Sequence, residues 1–373
     1  MKKRTALTII ATSLTVATIG TTTAFTNRSN SNNTFYKLAS GDGTYQFTLT
    51  SSESFAGVSK NMTVGSGTTY TTLGNEVYWE YLYGYADSNF ITLDEGGYLT
   101  NTSDIWGINK ITITANQDIK YISNEEERTI TSGSGEITLT PTDSFTLMSL
   151  TDGTSITSLT VKYSCSSVGG LYTYRDDSTY YTITEVNNKA LSTYVVPSTY
   201  NGKPVVMDED IFVGCDSMVN LCIPSLNEHV FKYYFNDNDY NVPTSLRNVT
   251  VKDGSIPASA FKYSSRQYSI TNITLLNEGS IGSRAFDSIT TLSNVYIGGG
   301  ITSIGQYAFN SDTSLTTTFI PVSVISMDKL VFQGCSNLTT IRCETNELVD
   351  GKPSGWVANW SGCSATVTWG ATR

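Results

Sequence analysis

A phenylalanine recurs through the second half of this sequence at intervals of 19 to 30 residues, and its neighbours recur with it. A large apolar residue lies five positions before each copy, and a small or branched residue lies immediately before it. The six copies are Phe212, Phe231, Phe261, Phe286, Phe309 and Phe332. Such a period predicts a solenoid, because one unit cannot bury its apolar face alone, whereas stacked units bury the faces of their neighbours.

A second pattern follows each phenylalanine, with apolar residues favoured at its first, fourth and sixth positions. Its copies are residues 218–223, 246–251, 270–275, 292–297, 315–320 and 338–343. The alternation at the end of each copy is typical of a short strand whose alternate side chains point inward. Pro224 and Pro321 directly follow two of these strands, where hydrogen bonding along a sheet ends. Gly282 and Gly305 are expected at the tight bend before the phenylalanine.

These motifs resemble the BspA-like leucine-rich repeat family of bacterial surface proteins. The resemblance is carried by the "IGxxAF" turn, the "LxxLxI(P)" strand and the "GCxxL" joint at 335–338. It covers about residues 171–369, including a lead-in at 198–205, and it implies a solenoid of about six repeats. The tail is similar to the closing strand of such arrays, which implies a cap made by Trp356, Trp360 and Trp369.

Two repeats depart from the regular pattern. The second carries the polar insertion "YYFNDNDYNVPT" and the third carries "KYSSRQY". These segments are expected to bulge from the solenoid or to form irregular turns.

Residues 35–165 lack the repeat and consist of short runs rich in Thr, Tyr and Ile, separated by turn sequences such as "LDEGG" and "TSGSG". Runs of five to eight residues at this spacing predict an all-β sandwich or jelly roll. The fold class is therefore mainly β: a jelly-roll-like N-terminal β-sandwich followed by the leucine-rich repeat solenoid. The boundary is placed at "SCSSVGG", residues 164–170.

Residues 1–24 have the pattern of a secretory signal peptide, with three basic residues, a mostly apolar run and small residues at a cleavage point. A weak membrane anchor is the alternative, although the apolar run is short and interrupted by hydroxyls. Residues 25–34 are a polar linker. Removal of the signal changes the net charge from −10 to −13, which argues against nucleic acid and anionic lipid as partners. No integral membrane segment is expected after cleavage.

The sequence carries no recognisable catalytic or metal-binding motif. Its one histidine, His229, is interpreted as an ordinary solenoid residue, since a catalytic triad needs a base beside a nucleophile. The "NDND" segment at 236–239 lacks the glycine and terminal glutamate of a calcium loop, and a solvated loop is the favoured interpretation. Cys215 and Cys335 are predicted to be small buried residues. We expect no catalytic residue, no metal and no cofactor, although a spatial pair of carboxylates would not be visible in sequence.

Two surfaces are candidates for ligand binding. On the repeat strands, Tyr296, Phe319 and Arg342 share one outward position in successive units, and such residue types anchor interfaces. Packing under a neighbouring loop is the alternative. A second outward position is predicted to form a hydrogen-bonded structural ladder through Asn220, Asn248, Asn272, Asn294, Thr317 and Thr340.

The other candidate surface lies in the N-terminal module. In "YWEYLYGY" every second residue from Trp79 onward is aromatic, so these rings would share one face of a strand. Trp79, Tyr81 and Tyr83 could then form a platform for stacking sugars. Core packing of the same rings is the alternative.

These observations favour a non-enzymatic recognition protein, secreted or retained at the cell surface. The resemblance implies adhesion to host or neighbouring cells through protein, glycan or matrix ligands. The alternative is a carbohydrate-binding protein in which the N-terminal β-sandwich recognises the ligand and the solenoid is a scaffold. A degradative enzyme is a third reading, which no residue pattern supports.

Overall fold

The computed structural model describes residues 45–49, 66–72, 76–87, 90–102, 107–163, 169–201, 203–263, 265–276, 278–346 and 352–372. The chain divides into two compact units between Leu171 and Tyr172. The predicted signal peptide and linker lie outside the described residues. No helix in the described residues is long and apolar enough to cross a membrane.

The N-terminal unit is built from antiparallel strands. They are β1 Tyr45–Leu49, β2 Ser66–Thr72, β3 Glu76–Asp87, β4 Phe90–Asn101, β5 Ile108–Ala115, β6 Ile119–Ser123, β7 Glu127–Ile130, β8 Gly133–Thr142, β9 Phe145–Ser149 and β10 Thr154–Tyr163. Their neighbours run β7-β6-β9-β4-β10-β5-β8, with β1 beside β10, β3 beside β4 and β2 beside β3. The long strand β4 pairs with β10 through its first half and with β9 through its second half, an arrangement compatible with the predicted sandwich.

The core of this unit is a single apolar cluster that draws on strands from β3 to β10. Within this cluster, the ring centroid of Phe145 lies 5.8 Å from that of Trp79 and 5.9 Å from that of Tyr121. Burial of rings of this size is a dominant source of stability in a small domain. The aromatic residues of this unit therefore contribute to its fold.

The C-terminal unit is a parallel β-solenoid. A lead-in sheet is formed by β11 Tyr172–Asp176, β12 Tyr181–Val186, β14 Thr199–Tyr200 and β15 Lys203–Met207. The main ladder contains β13 Thr193–Val195, β16 Asn220–Ile223, β17 Asn248–Val251, β18 Asn272–Leu275, β20 Asn294–Ile297, β22 Thr317–Ile320, β24 Thr340–Cys343 and β25 Thr366–Thr368. A side ladder contains β19 Gly279–Ile281, β21 Ile301–Ile304 and β23 Ser326–Met327.

The main ladder confirms the repeat register predicted from sequence. Its strands form parallel sheets of five and three strands, and β22 lies beside β20, so the solenoid has about eight turns. Six of these strands fall within the six predicted copies of the strand pattern. The two additional turns, at β13 and β25, lie at the ends of the array and have no phenylalanine of the series.

The recurring phenylalanines form a stack through the solenoid core. Ring centroids of successive residues are 4.7, 5.0, 5.1 and 5.4 Å apart. The members of this phenylalanine stack are Phe231, Phe261, Phe286, Phe309 and Phe332. The rings of Trp356, Trp360 and Trp369 cluster together in the last turn, and the first two are buried.

The bend before five of the six phenylalanines uses a left-handed residue, which the sequence did not reveal because the residue is not glycine. Five positive-φ residues lie two positions before a phenylalanine, with φ between 56° and 60°: Asp210, Ser259, Arg284, Tyr307 and Leu330. The predicted glycines serve a different purpose. A Cβ on Gly282 would lie 2.5 Å from the Ala258 backbone nitrogen, so close approach of adjacent turns requires glycine there.

The two irregular repeats hold each other in place. The insertion forms short 3-10 helices at Phe231–Phe235 and Asp239–Asn241. The buried carboxylate of Asp239 accepts hydrogen bonds from the Ser265 backbone N–H at 2.6 Å and from the Tyr268 hydroxyl at 2.9 Å. The favoured interpretation of 236–239 as a solvated loop is therefore wrong for Asp239, because its carboxylate is buried and joins the second and third repeats by hydrogen bonds.

Candidate functional site on the repeat solenoid

The parallel register brings the predicted contact residues together. Phe319 pairs directly with Arg342 across β22 and β24, while Tyr296 occupies the equivalent position on the neighbouring strand β20. Tyr296 and Phe319 are half-buried, and Arg342 is exposed. We call these three residues the aromatic–arginine strip. Because adjacent strands lie about 4.8 Å apart, the strip spans roughly 10 Å across the ladder.

The guanidinium of Arg342 is positioned by two contacts. Its Cζ atom lies 5.7 Å from the centroid of the Phe319 ring, which is within the range of cation–π attraction. The guanidinium also donates a hydrogen bond to the backbone carbonyl of Thr372. Among the ion pairs of the described residues, none involves Arg342.

The predicted hydrogen-bonded ladder is confirmed for its four asparagines, whereas Thr317 and Thr340 are not part of the observed series of bonds. Each amide donates to the preceding turn: Asn248 to Asn220 at 2.6 Å, Asn272 to Asn248 at 2.5 Å and Asn294 to Asn272 at 2.7 Å. Asn220 completes the series by donating to the Thr193 hydroxyl at 3.0 Å. These side-chain bonds link adjacent turns of the five-stranded sheet that contains Tyr296.

The aromatic residues predicted as a sugar platform have a different environment. Trp79 and Tyr81 are buried in the core of the N-terminal unit, whereas the side chain of Tyr83 lies outside the described residues. A ring covered on both faces offers no surface to a sugar. The alternation in "YWEYLYGY" suggested one buried and one exposed face, but side chains on both faces of the strand are buried over residues 79–82. The core-packing alternative is therefore correct for Trp79 and Tyr81.

The remaining reactive side chains form no cluster of metal ligands in the described part of the chain. His229 is exposed and stacks on Tyr233, with ring centroids 3.9 Å apart. Cys215 and Cys335 are buried as predicted, and burial raises the pKa of Cys335 to about 12, which disfavours the reactive thiolate. No group of three or more His, Cys, Asp or Glu residues there is placed to hold a metal ion.

Asp312 is a buried carboxyl group that the sequence analysis missed. It follows Phe309 by three residues, the position that Cys335 holds after Phe332 and Cys215 holds after Phe212. Asp312 is fully buried, and neither carboxyl oxygen makes a hydrogen bond of normal geometry within the described residues. Burial raises the pKa of Asp312 to about 9. Comparison with the two cysteines in the same slot would have identified it.

The fold and the strip define a repeat protein with an outward-facing parallel sheet. Residues 254–350 match the family described as "BspA type Leucine rich repeat region", in six copies. The resemblance noted from the sequence is therefore confirmed for this region, which is a BspA-type leucine-rich repeat array. The matched region contains all three residues of the strip. No curated protein matches this chain in a sequence search.

Solved structures of three bacterial leucine-rich repeat proteins are similar to parts of this chain. A T. pallidum leucine-rich repeat protein is 24% identical over 46% of this chain and 78% of its own, with a TM-score of 0.30. A leucine-rich cell surface protein of Faecalibacterium prausnitzii is 20% identical over 48% and 54%, with a TM-score of 0.28. A leucine-rich repeat protein of Bacteroides ovatus is 16% identical over 53% and 70%, with a TM-score of 0.23.

A leucine-rich repeat region of this family suggests a role in recognition or interaction. Proteins built on such repeats are typically binding or scaffold proteins without enzymatic activity. The chemistry of the strip agrees with that role, since it presents contact side chains and no nucleophile beside a base.

Proposed function

We propose that this protein is a secreted or cell-surface recognition protein that adheres to proteins of host or neighbouring cells through its repeat solenoid. The aromatic–arginine strip carries the proposal. It groups tyrosine, phenylalanine and arginine on the outward face of the ladder. All three residue types are enriched at protein interfaces, and tyrosine and arginine often dominate the binding energy. Trp79 and Tyr81 are buried, which argues against glycan recognition through the predicted aromatic platform of the N-terminal unit.

The test compares variants of the full chain for binding to epithelial cells by flow cytometry. The double variant Tyr296→Ala/Arg342→Ala is expected to lose at least tenfold in binding, because truncation of interface anchors costs more than about 1–2 kcal/mol. The control is Thr250→Ala/Thr274→Ala, which changes the same ladder position in two earlier turns. Equal binding by the parent and the strip variant would contradict the proposal, as would binding that disappears when cell glycans are removed enzymatically.

We also propose that residues 1–24 are removed on secretion and that 35–165 and 171–369 are separate domains. The basic start, apolar run and small residues of the first segment support this proposal. Mass spectrometry of protein collected from the medium of a bacterial expression host should place the mature N-terminus close to Ala24. A retained N-terminus would favour the membrane-anchor alternative.

A further inference from the structure

We propose that the aromatic–arginine strip binds an acidic segment of a partner protein, with a partner carboxylate against Arg342 and an apolar side chain over Tyr296 and Phe319. This inference rests on the proposed function and adds the chemical class of the partner.

The charge distribution around the strip selects an anionic partner. The four ladder strands β20, β22, β24 and β25 contain no Asp, Glu, Lys or His, and Arg342 is their one basic residue. The sequence as a whole has 33 acidic and 23 basic residues. An acidic ligand would be repelled by much of such a surface, whereas these four strands offer it one cation and no carboxylate. Among the described residues, Glu344 follows β24 directly, and its carboxylate accepts a hydrogen bond from the Val322 backbone N–H.

Arg342 is prepared for a carboxylate before the partner arrives. The Phe319 ring covers the guanidinium, and the Thr372 carbonyl accepts one of its five N–H donors. The remaining donors lie in the guanidinium plane, where they can make the paired hydrogen bonds that carboxylates form with arginine. Because the side chain is already oriented, less rotamer entropy is lost on binding.

The spacing within the strip indicates the pattern of the partner segment. Tyr296 and Arg342 lie two ladder steps apart, which is roughly 10 Å. A segment in the polyproline II conformation advances about 3.1 Å per residue and brings every third side chain to the same face, about 9 Å further on. The acidic residue is therefore expected about three positions from the apolar or aromatic residue that covers Tyr296 and Phe319.

A random 12-residue peptide-display library panned on the full parent chain tests this inference, and the selected peptides are then retested against the Arg342→Gln variant. Enriched peptides should carry Asp or Glu about three positions from an apolar residue. Synthetic copies titrated against the protein should lose roughly tenfold or more in affinity with Arg342→Gln, or when their Asp or Glu is replaced by Asn or Gln. Arg342→Lys should retain part of the affinity, and amidation of the peptide C-terminus should have no effect.

The matched control is Arg247→Gln, which removes another exposed arginine of the solenoid. Peptides weakened by Tyr296→Ala but unaffected by Arg342→Gln would overturn the acidic-partner inference while supporting the proposed function. Peptides equally weakened by Arg247→Gln would overturn it as well, since the effect would then be one of general charge. Selected peptides insensitive to both Tyr296→Ala and Arg342→Gln would contradict the inference and the proposed function together.

Discussion

The two units of this protein solve the same packing problem in different ways. In the solenoid, one short apolar pattern is repeated, and each turn buries the face of the next. In the N-terminal unit, the eight strands β3 to β10, which differ from one another, contribute to one cluster that includes Phe145. In the solenoid, the structural role of a residue can be predicted from sequence because residues at the equivalent position of other repeats can be compared with it. A residue in a strand that occurs once has no such equivalents.

Replacing a buried phenylalanine by alanine should have the largest effect, and the pattern of that effect should differ between the two units. Phe286→Ala in the solenoid and Phe145→Ala in the N-terminal unit should each cost about 3–5 kcal/mol of unfolding free energy, because each leaves a large cavity. Hydrogen exchange should show loss of protection that decreases with distance from Phe286 along the turns, since a solenoid is stabilised by nearest-neighbour contacts.

In the N-terminal unit, Phe145→Ala should instead lower protection throughout the strands that share the cluster. A uniform loss across the entire solenoid in Phe286→Ala would contradict the contrast between the two units. Ile325→Ala serves as a control, because this side chain is 69% exposed.

Asp312 allows a direct comparison between equivalent positions of the repeats, since Cys215 and Cys335 occupy the same position in two other turns. A carboxyl with a folded pKa of about 9 and an ordinary unfolded pKa keeps its proton in the folded state while the unfolded chain releases it. The contribution of Asp312 to stability is thus greatest below about pH 4 and falls until about pH 9, by at most about 1.4 kcal/mol for each pH unit.

The variant Asp312→Cys restores the residue found in two equivalent turns, so it should remove this slope. At pH 7 the gain is on the order of 4 kcal/mol. Chemical denaturation of the parent and variant at pH 5 and pH 8 measures the effect. The same pH dependence in both proteins would show that Asp312 is ionised or solvated in the folded state.

Several of these roles could be predicted from sequence and others could not. The six repeat strands were located because their apolar spacing recurs, and Asn220 to Asn294 were assigned to a ladder for the same reason. Trp79 and Tyr81 were ambiguous, because alternation within one strand does not reveal whether its second face is covered. The left-handed bends were missed, since Arg284, Tyr307 and Leu330 are not residue types that favour positive φ.

The asparagine ladder provides a smaller test within the solenoid. Asn272→Ala removes one hydrogen bond to each neighbouring turn and should cost about 1–3 kcal/mol, partly because partner groups lose their bonds. Asn294→Ala removes its bond to Asn272 from a more exposed position, so its cost should be about half as large. Thermal and urea unfolding compare the two variants, and an equal cost would show that the ladder does not act through bonds between turns.

The smallest expected effect is at the bend before Phe332. Leu330 has φ of 60°, and the equivalent residue of the first repeat is Asp210, with φ of 57°. Asn and Asp tolerate this conformation better than Leu. Leu330→Asn should therefore raise the unfolding free energy by about 0.5–1 kcal/mol, measured by urea denaturation, and a decrease would show that Leu330 contributes more through packing than it loses through backbone strain.

Site-specific photocrosslinking on intact epithelial cells tests most directly whether the solenoid strip is the recognition surface. A benzophenone amino acid would replace Tyr296 in one protein, Tyr180 in a second and Leu150 in a third; Tyr180 and Leu150 are exposed residues of the solenoid unit and the N-terminal unit. The account predicts crosslinked cell-surface protein from position 296 alone, unchanged after glycan removal. Equal or stronger crosslinking from position 150 or 180 would contradict it.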